Sequence, residues 1–174
     1  MIRPVIESER LVLRPLAASD VGLLELYTSD LQVAGKTRSI PHPLPPGASA
    51  AFVERVTSGA EPGQCWAIDH RGSEGGALIA TIGLTDKGEV GYWLGAPFWD
   101  TGFATEAGSA LVDEVRRSGA YDRLRAEVFQ DNPASARVLT KAGFAYASDG
   151  QVFCVARGSE VPVWQYALEF GDAR

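Results

Sequence analysis

The sequence predicts one mixed α/β (α+β) domain, and three observations carry that expectation. The 174 residues are close to the roughly 150 expected of one domain. Short strand-type runs alternate with two strongly helical stretches, and no repeat or linker interrupts them. Apolar residues make up 45% and charged residues 22%, enough apolar material for a packed core and too much for a disordered chain. The predicted order is strand, two helices, three strands, helix, strand, helix, two strands.

The first strand is Glu9–Pro15, where Leu11 and Leu13 alternate with Val12 and Arg14 until Pro15 stops the ladder. Ser19 reads as the N-cap of a helix of about ten residues built on Val21, Leu24, Leu26 and Tyr27. From Gln32 to Ala48 the periodicity fails, and the Pro41-His42-Pro43-Leu44-Pro45-Pro46 run marks an irregular loop. Ser49–Thr57 forms a second helix with Phe52, Val53 and Val56 on one side. Strands follow at Cys65–Ile68 and Ala77–Leu84, separated by the Gly72-Ser73-Glu74-Gly75-Gly76 turn, and then at Glu89–Leu94. In the last of these, Glu89, Gly91 and Trp93 share one face and Val90, Tyr92 and Leu94 the other. Thr105–Arg117 is the strongest helix, with Ala104, Ala107, Leu111 and Val115 on one face and Gly119 behind it. A strand at Leu124–Phe129 precedes a helix that Pro133 opens and Gly143 closes, with Val138, Leu139 and Ala142 turned inward. Strands around Tyr146–Val155 and Val161–Phe170 complete the chain.

Composition narrows the function classes. Sixteen Lys and Arg against 22 Asp and Glu give a net charge of −6, without the broad positive field of a nucleic-acid binder. Local basic clusters can still hold a phosphate. The first ten residues carry no apolar stretch of signal-peptide length, and nowhere do 18 apolar residues run together, so no membrane partner is expected. Cys65 and Cys154 are far apart, and reduced thiols in a cytoplasmic protein are the expectation. His42 and His70 stand alone, without the paired Cys or His spacing that zinc needs.

Two segments carry candidate chemistry. Trp99-Asp100-Thr101-Gly102-Phe103-Ala104-Thr105-Glu106-Ala107 lies between a strand and the long helix. Such a turn presents unpaired N–H groups at the positive end of the helix dipole, which suits a phosphate or diphosphate. Gly102 permits close backbone approach, and Ala104 keeps the next turn low. An ordinary strand-to-helix turn would need Gly102 for its backbone angles alone. Neither Gly-x-Gly-x-x-Gly nor the phosphate-loop pattern ending in Gly-Lys-Ser/Thr is present. The second segment runs from Asn132 through Ser135, Arg137 and Lys141 to Phe144. Arg137 and Lys141 are an i,i+4 pair that gives one helix side local positive charge, and a capped helix with a solvated basic edge would look the same.

Together these segments resemble the GNAT superfamily of acyl-coenzyme A-dependent N-acetyltransferases, and most of all the branch containing the ribosomal-protein N-terminal (alanine) acetyltransferases. The match runs from Ser8-Glu9-Arg10-Leu11-Val12-Leu13-Arg14-Pro15 through Ile40-Pro41-His42-Pro43 and Gly91-Tyr92-Trp93-Leu94. It continues through Gly102-Phe103-Ala104-Thr105-Glu106-Ala107 to Asn132 and Lys141-Ala142-Gly143-Phe144. The resemblance implies a central, mostly antiparallel mixed sheet of about seven strands, flanked by about four helices. Its fourth and fifth strands, here Glu89–Leu94 and Leu124–Phe129, should be parallel and splay apart around acetyl-coenzyme A. The cofactor's pantetheine arm should pair with the backbone near Trp93 and Leu94, and its diphosphate should sit on Thr101, Gly102, Phe103, Ala104 and Thr105. Asn132 would contact the pantetheine region, Ser135 would lie near the sulfur, and Arg137 and Lys141 would partner the nucleotide phosphates. No metal is implied. Relatives often pair, so a homodimer is compatible with the resemblance.

The chain departs from the family pattern at Trp99, at Asp100 and Thr101, which replace the usual small residue and base, and at Leu139. Trp99 opens the phosphate turn, Asp100 stands where an acidic side chain must face solvent, and Leu139 occupies the position of a tyrosine that protonates the leaving thiolate in many relatives. That role falls to Ser135, to water, or to nothing. The implied reaction is direct attack of an acceptor amine on the thioester. The amine must be neutral, which at pH 7 costs about 1 kcal/mol for an α-amino group and roughly 4–5 kcal/mol for a lysine. Glu89, starting the strand that lines the cleft, is the candidate base. The Gln32–Ala48 loop and the Val152–Val163 hairpin region should frame the acceptor pocket, with Tyr27, Trp66, Trp93 and Phe153 as candidate lining. A non-catalytic acyl-coenzyme A sensor and an interaction module with a dead cleft are the rival readings.

Overall fold

The computed structural model describes residues 2–72 and 76–171; positions 73–75 of the expected turn lie outside them. In chain order the elements are β1 (Ile6–Glu7), β2 (Leu11–Pro15), a 3-10 turn (Ala18–Asp20), α1 (Val21–Thr28), α2 (Leu31–Ala34), α3 (Ala48–Thr57), β3 (Gln64–His70), β4 (Leu78–Leu84) and β5 (Glu89–Leu94). A second 3-10 turn (Ala96–Phe98) leads to α4 (Phe103–Ser118), followed by β6 (Arg123–Phe129), α5 (Pro133–Lys141), β7 (Ala145–Cys154) and β8 (Ser159–Glu169). The described strands form one eight-stranded sheet in the order β1-β2-β3-β4-β5-β6-β8-β7. Every neighbouring pair is antiparallel except β5 and β6, which run parallel as expected.

Three differences from the sequence reading have local causes. β1 is two residues long, below any detectable period, and it pairs Ile6 with Leu13. One turn of helix, α2, interrupts the stretch read as loop because the Asp30 carboxylate accepts the Gln32 N–H at 2.9 Å. Ser19 is not the cap of α1: it sits inside the 3-10 turn, and the neighbouring Asp20 takes the capping bond from the Ala17 N–H at 2.8 Å. Arg14 on β2 fixes Asp20 there, bridging it and Asp69 with contacts of 2.6–3.0 Å. A carboxylate beside a guanidinium thus displaces a hydroxyl that has no such partner.

The strand alternation holds where it matters for the cleft. Val90, Tyr92 and Leu94 pack on the main core, which contains Leu11, Leu13, Ile82, Leu111, Val115 and Leu124. Trp93 packs on the opposite face, with Leu24, Val53 and Leu78 beneath α1 and α3. β5 and β6 are in register only at Glu89–Arg125 and Val90–Ala126. Past that point β6 stays paired with β8 as far as Phe129, while β5 continues to Leu94 without it. The sheet therefore opens into a wedge between the two parallel strands. Both cysteines are free. Burial pushes the Cys65 thiol up to about 12, and Cys154 donates to the Thr37 carbonyl at 3.2 Å.

Candidate active site

The turn that follows β5 is shaped by its own side chains. Trp99 Nε1 donates to the Leu94 carbonyl at 2.8 Å. Thr101 Oγ1 donates to the Phe98 carbonyl at 2.6 Å and accepts the Phe103 N–H at 3.3 Å. Asp100 (φ 60°) and Gly102 (φ 80°) both adopt left-handed backbone, a conformation that Asp tolerates and Gly adopts at no steric cost. Asp100 is exposed, as expected. Among the described residues nothing accepts the amide hydrogens of Gly102, Ala104 and Thr105, because the first intrahelical bond runs from Glu106 N–H to the Gly102 carbonyl. Three free amides at the start of a 16-residue helix make a ready anion cradle.

A carboxylate in that first turn would repel an anion, yet Glu106 is neutralised from behind. It accepts from Ser8 Oγ at 2.7 Å and from the backbone and Nε of Arg10, each at 2.7 Å. Burial works to raise its pKa, but these hydrogen bonds outweigh it and hold the carboxyl below its ordinary range. Arg10 Nη1 also donates to the Thr101 carbonyl at 3.0 Å, and the guanidinium lies 4.5 Å from the centre of the Phe103 ring. One arginine thus ties β2's approach to the phosphate turn, a contact no local pattern announces.

On the other side of the wedge, α5 begins at Pro133 after Asn132, whose carbonyl accepts the Ser135 N–H at 3.2 Å. Arg137 and Lys141 are exposed and line the cleft, and neither has a carboxylate partner among the described residues. Leu139 is 3% exposed in the main core. A tyrosine reaches this region instead from β5: the Tyr92 hydroxyl lies 2.5 Å from Ser135 Oγ and 3.4 Å from the Ser135 carbonyl. Burial pushes the phenol up to about 12, against the lowering effect of the serine. Alternation had put Tyr92 on the correct face of β5 but could not supply its partner, 43 residues away in sequence.

Main-chain direction corrects one backbone expectation. The Gly88 carbonyl accepts from Arg125 N–H on the β6 side, whereas the Glu89 carbonyl and Gly95 N–H bond to Thr85 and Ile79 on the β4 side. Successive residues of a strand aim their main-chain groups to opposite sides. Tyr92 and Leu94 therefore face the wedge, and Trp93 faces β4. The Leu94 carbonyl is already occupied by Trp99.

The cleft, with a volume of about 1550 Å³, continues through the sheet to the face that carries Glu89, Gly91 and Trp93. Residues 36–41 wall it on one side. The β7–β8 hairpin contributes Ala147, Ser148 and 165–167 rather than the 152–163 region. That tip anchors the loop: Val155 N–H donates to the Arg38 carbonyl at 3.0 Å, and Arg157 Nε to the Gly35 carbonyl at 2.8 Å. Glu89 is exposed at the apex of the wedge, and among the described residues its carboxylate has no hydrogen-bond or ion-pair partner. A second carboxylate, Glu127 on β6, shares this face. Arg38 lies 3.3 Å from it, and Gln165, itself held by Ser148 at 2.7 Å, lies 3.5 Å from it. Glu127 was missed because both partners come from distant segments.

Of the four aromatic residues expected to line an acceptor pocket, Trp93 alone lines the cleft among the described residues. Tyr27 is half-buried behind it, edge-on to Phe98 at 5.8 Å. Trp66 is 2% exposed in the main core, because the apolar Cys65–Ile68 run of β3 presents it to the face covered by α4. Phe153 is 52% exposed, turned away from the buried Val152 and Cys154 on either side of it. No group of three or more His, Cys, Asp or Glu among the described residues is placed to hold a metal. No described helix is long and apolar enough to cross a membrane.

Comparison with known proteins agrees with this geometry. Residues 10–145 match the model of the acetyltransferase (GNAT) domain. A protein of Bacillus subtilis (strain 168) named uncharacterized N-acetyltransferase YoaA is 30% identical over 152 residues, covering 81% of this chain and 82% of that protein. RimL, a ribosomal L7/L12 alpha-N-protein acetyltransferase solved with coenzyme A, superposes with a TM-score of 0.82 at 18% identity, over 95% of this chain and 98% of that one. The microcin C7 self-immunity acetyltransferase MccE, solved with acetyl-CoA and AMP, superposes with a TM-score of 0.80 at 18% identity, over 94% of each chain. With this fold and a family match spanning both walls of the wedge, the chain belongs to the GNAT acetyltransferase domain family.

Proposed function

We propose that the protein is an acetyl-coenzyme A-dependent N-acetyltransferase that carries acetyl to a primary amine, a protein N-terminus or a small-molecule amine, by direct attack on the thioester. The observation that carries this reading is the trio of unpaired amides at Gly102, Ala104 and Thr105 beside the β5–β6 wedge. They fit a diphosphate, with Thr101 and Phe103 shaping the turn. Tyr92 and Leu94 offer main-chain groups to the pantetheine arm, Asn132 flanks it, and Arg137 and Lys141 suit the nucleotide phosphates. MccE and RimL, with the same fold, were solved with acetyl-CoA and coenzyme A respectively.

The acceptor enters from the Trp93 face. Its nitrogen lone pair attacks the thioester carbonyl, the C–S bond breaks, and the electron pair leaves on sulfur. Glu89 takes the amine proton directly or through water, and Glu127 stands on the same face as the alternative base. A carboxylate suffices for an α-amino group, whose deprotonation at pH 7 costs only about 1 kcal/mol.

The test has two arms. Acetyl-coenzyme A at about 100 times its Kd should raise Tm by roughly 5–10 °C, and a panel of peptides, amino acids and polyamines should then release free thiol. No thermal shift contradicts the reading outright. A shift without thiol release from any amine turns it into that of an acyl-coenzyme A sensor.

A further inference from the structure

The contact between Tyr92 and Ser135 crosses the opening of the wedge, from the centre of β5 to the first turn of α5. Tyr92 lies two residues beyond Val90, the last residue of β5 in register with β6, so the contact stands where the sheet has opened. From this geometry we infer that Tyr92 is a positioning residue, whose hydroxyl donates into Ser135 Oγ and so turns the serine's own hydrogen toward the departing sulfur. The inference rests on the acetyl-transfer reading above.

Three features support the direction of donation. The tyrosine oxygen lies near both oxygens of residue 135, Oγ at 2.5 Å and the carbonyl at 3.4 Å. The shorter contact, to Oγ, joins two hydroxyls, and the phenol, the more acidic of the two, is the better donor. The phenol keeps that hydrogen throughout the neutral range, because burial pushes its pKa up to about 12. A serine in the first turn of a helix otherwise spends its hydrogen on a nearby backbone carbonyl. With one lone pair of Oγ filled by Tyr92, the serine has its hydrogen left to give, and the wedge lies beside it.

The chemistry balances without full protonation by the serine. When the C–N bond forms and the C–S bond breaks, sulfur leaves with the electron pair and the amine proton goes to the carboxylate base or water. The thiolate accepts a hydrogen bond from Ser135 Oγ and takes its proton from solvent on release. Leu139, buried at the position of the family's tyrosine, cannot take this part. A tyrosine from the neighbouring strand acts instead, through the serine.

The experiment needs no acceptor. Coenzyme A bound to the protein is titrated by the ultraviolet absorbance of its thiolate, while calorimetry at a pH that keeps the thiol protonated reports affinity. An ordinary thiol titrates near 8.5. In the wild type the bound thiol should titrate about one unit lower, in Ser135→Ala at its free value, and in Tyr92→Phe with at least half of the shift lost. Affinity for the protonated form should stay within about twofold in Tyr92→Phe, which also shows that the variant is folded. In turnover, Tyr92→Phe should lower kcat about five- to tenfold with little change in KM for acetyl-coenzyme A, and the double variant should be no slower than Ser135→Ala. A Tyr92→Phe protein whose bound thiol titrates as in the wild type overturns the inference, as do multiplicative effects in the double variant. An unshifted thiol in the wild type overturns it while leaving acetyl transfer standing. Absence of coenzyme A binding removes both, and calorimetry alone identifies that case.

Discussion

The two walls of the cleft are built on different principles. The cofactor-side wall is backbone: three free amides, two left-handed residues and a helix start, braced from behind by Ser8, Arg10 and Glu106. The charges behind the turn are consumed internally, and what the turn presents is oriented peptide dipoles, while Arg137 and Lys141 across the wedge have no carboxylate partner among the described residues. The acceptor-side wall is side chain: Glu89, Arg125 and Glu127 on strands, Arg38 on a loop pinned to the hairpin tip, and Trp93 as the apolar floor. Its Arg38–Glu127 pair is long, at 3.3 Å, and largely solvated, so it fixes less than a buried network does. The difference teaches that the wall proposed to grip a diphosphate is specified by chain geometry. The wall proposed to meet the amine is specified by exposed side chains on strands and a loop.

The strongest way to break this contrast is at Gly102. Gly102→Asp forces a side chain into left-handed backbone 3.3 Å from Arg10 Nη2 and adds negative charge to the cradle. Calorimetry should record a loss of acetyl-coenzyme A affinity of more than about 100-fold, roughly 3 kcal/mol; wild-type affinity would dissolve the distinction between the walls. Next come the carboxylates of the acceptor side. Replacing whichever carboxylate serves as the proposed base, Glu89→Gln or Glu127→Gln, should lower kcat by about 10²-fold with acetyl-coenzyme A affinity untouched, and the other variant should change kcat far less. Equal and negligible effects would remove both carboxylates from the mechanism.

Acid titration separates the walls more gently. Glu106 is held below its ordinary pKa, and so is Glu114, chiefly by Arg117 with further hydrogen bonds from Arg3. A folded-state pKa below the unfolded value means that the folded form binds fewer protons. Stability from these groups is therefore complete above the unfolded value of about 4.3 and is lost as pH falls through the lower folded values. Tm should be level from neutral pH to about 5 and fall below that, and Glu106→Gln should flatten part of the slope. An unaltered slope in that variant would mean the brace behind the turn contributes nothing. The smallest effect belongs to Phe153, which lies off both walls: Phe153→Ser should leave kcat and both KM values within about twofold, since exposed substitutions of this kind stay within ±0.5 kcal/mol.

What was legible in the sequence follows the same division. The start of α4, the proline start of α5 and the two faces of β5 are written in neighbouring residues, and the structure has them where the sequence puts them, α4 beginning two residues early. Arg10 behind the phosphate turn and Tyr92 on Ser135 were hidden because each depends on a partner more than 40 residues away. Trp66 was misplaced because the Cys65–Ile68 run of β3 is apolar on both faces and offers no alternation to orient it. Glu127 required the register of β6 with β8, which sets Gln165 opposite it, and no periodicity encodes a register between strands.

The decisive measurement is where a bound diphosphate goes. A crystal structure with acetyl-coenzyme A should show its diphosphate oxygens within hydrogen-bond distance of the Gly102, Ala104 and Thr105 amides, with the pantetheine arm entering between β5 and β6. A diphosphate held elsewhere, with those amides turned to solvent or bonded within the protein, would contradict it.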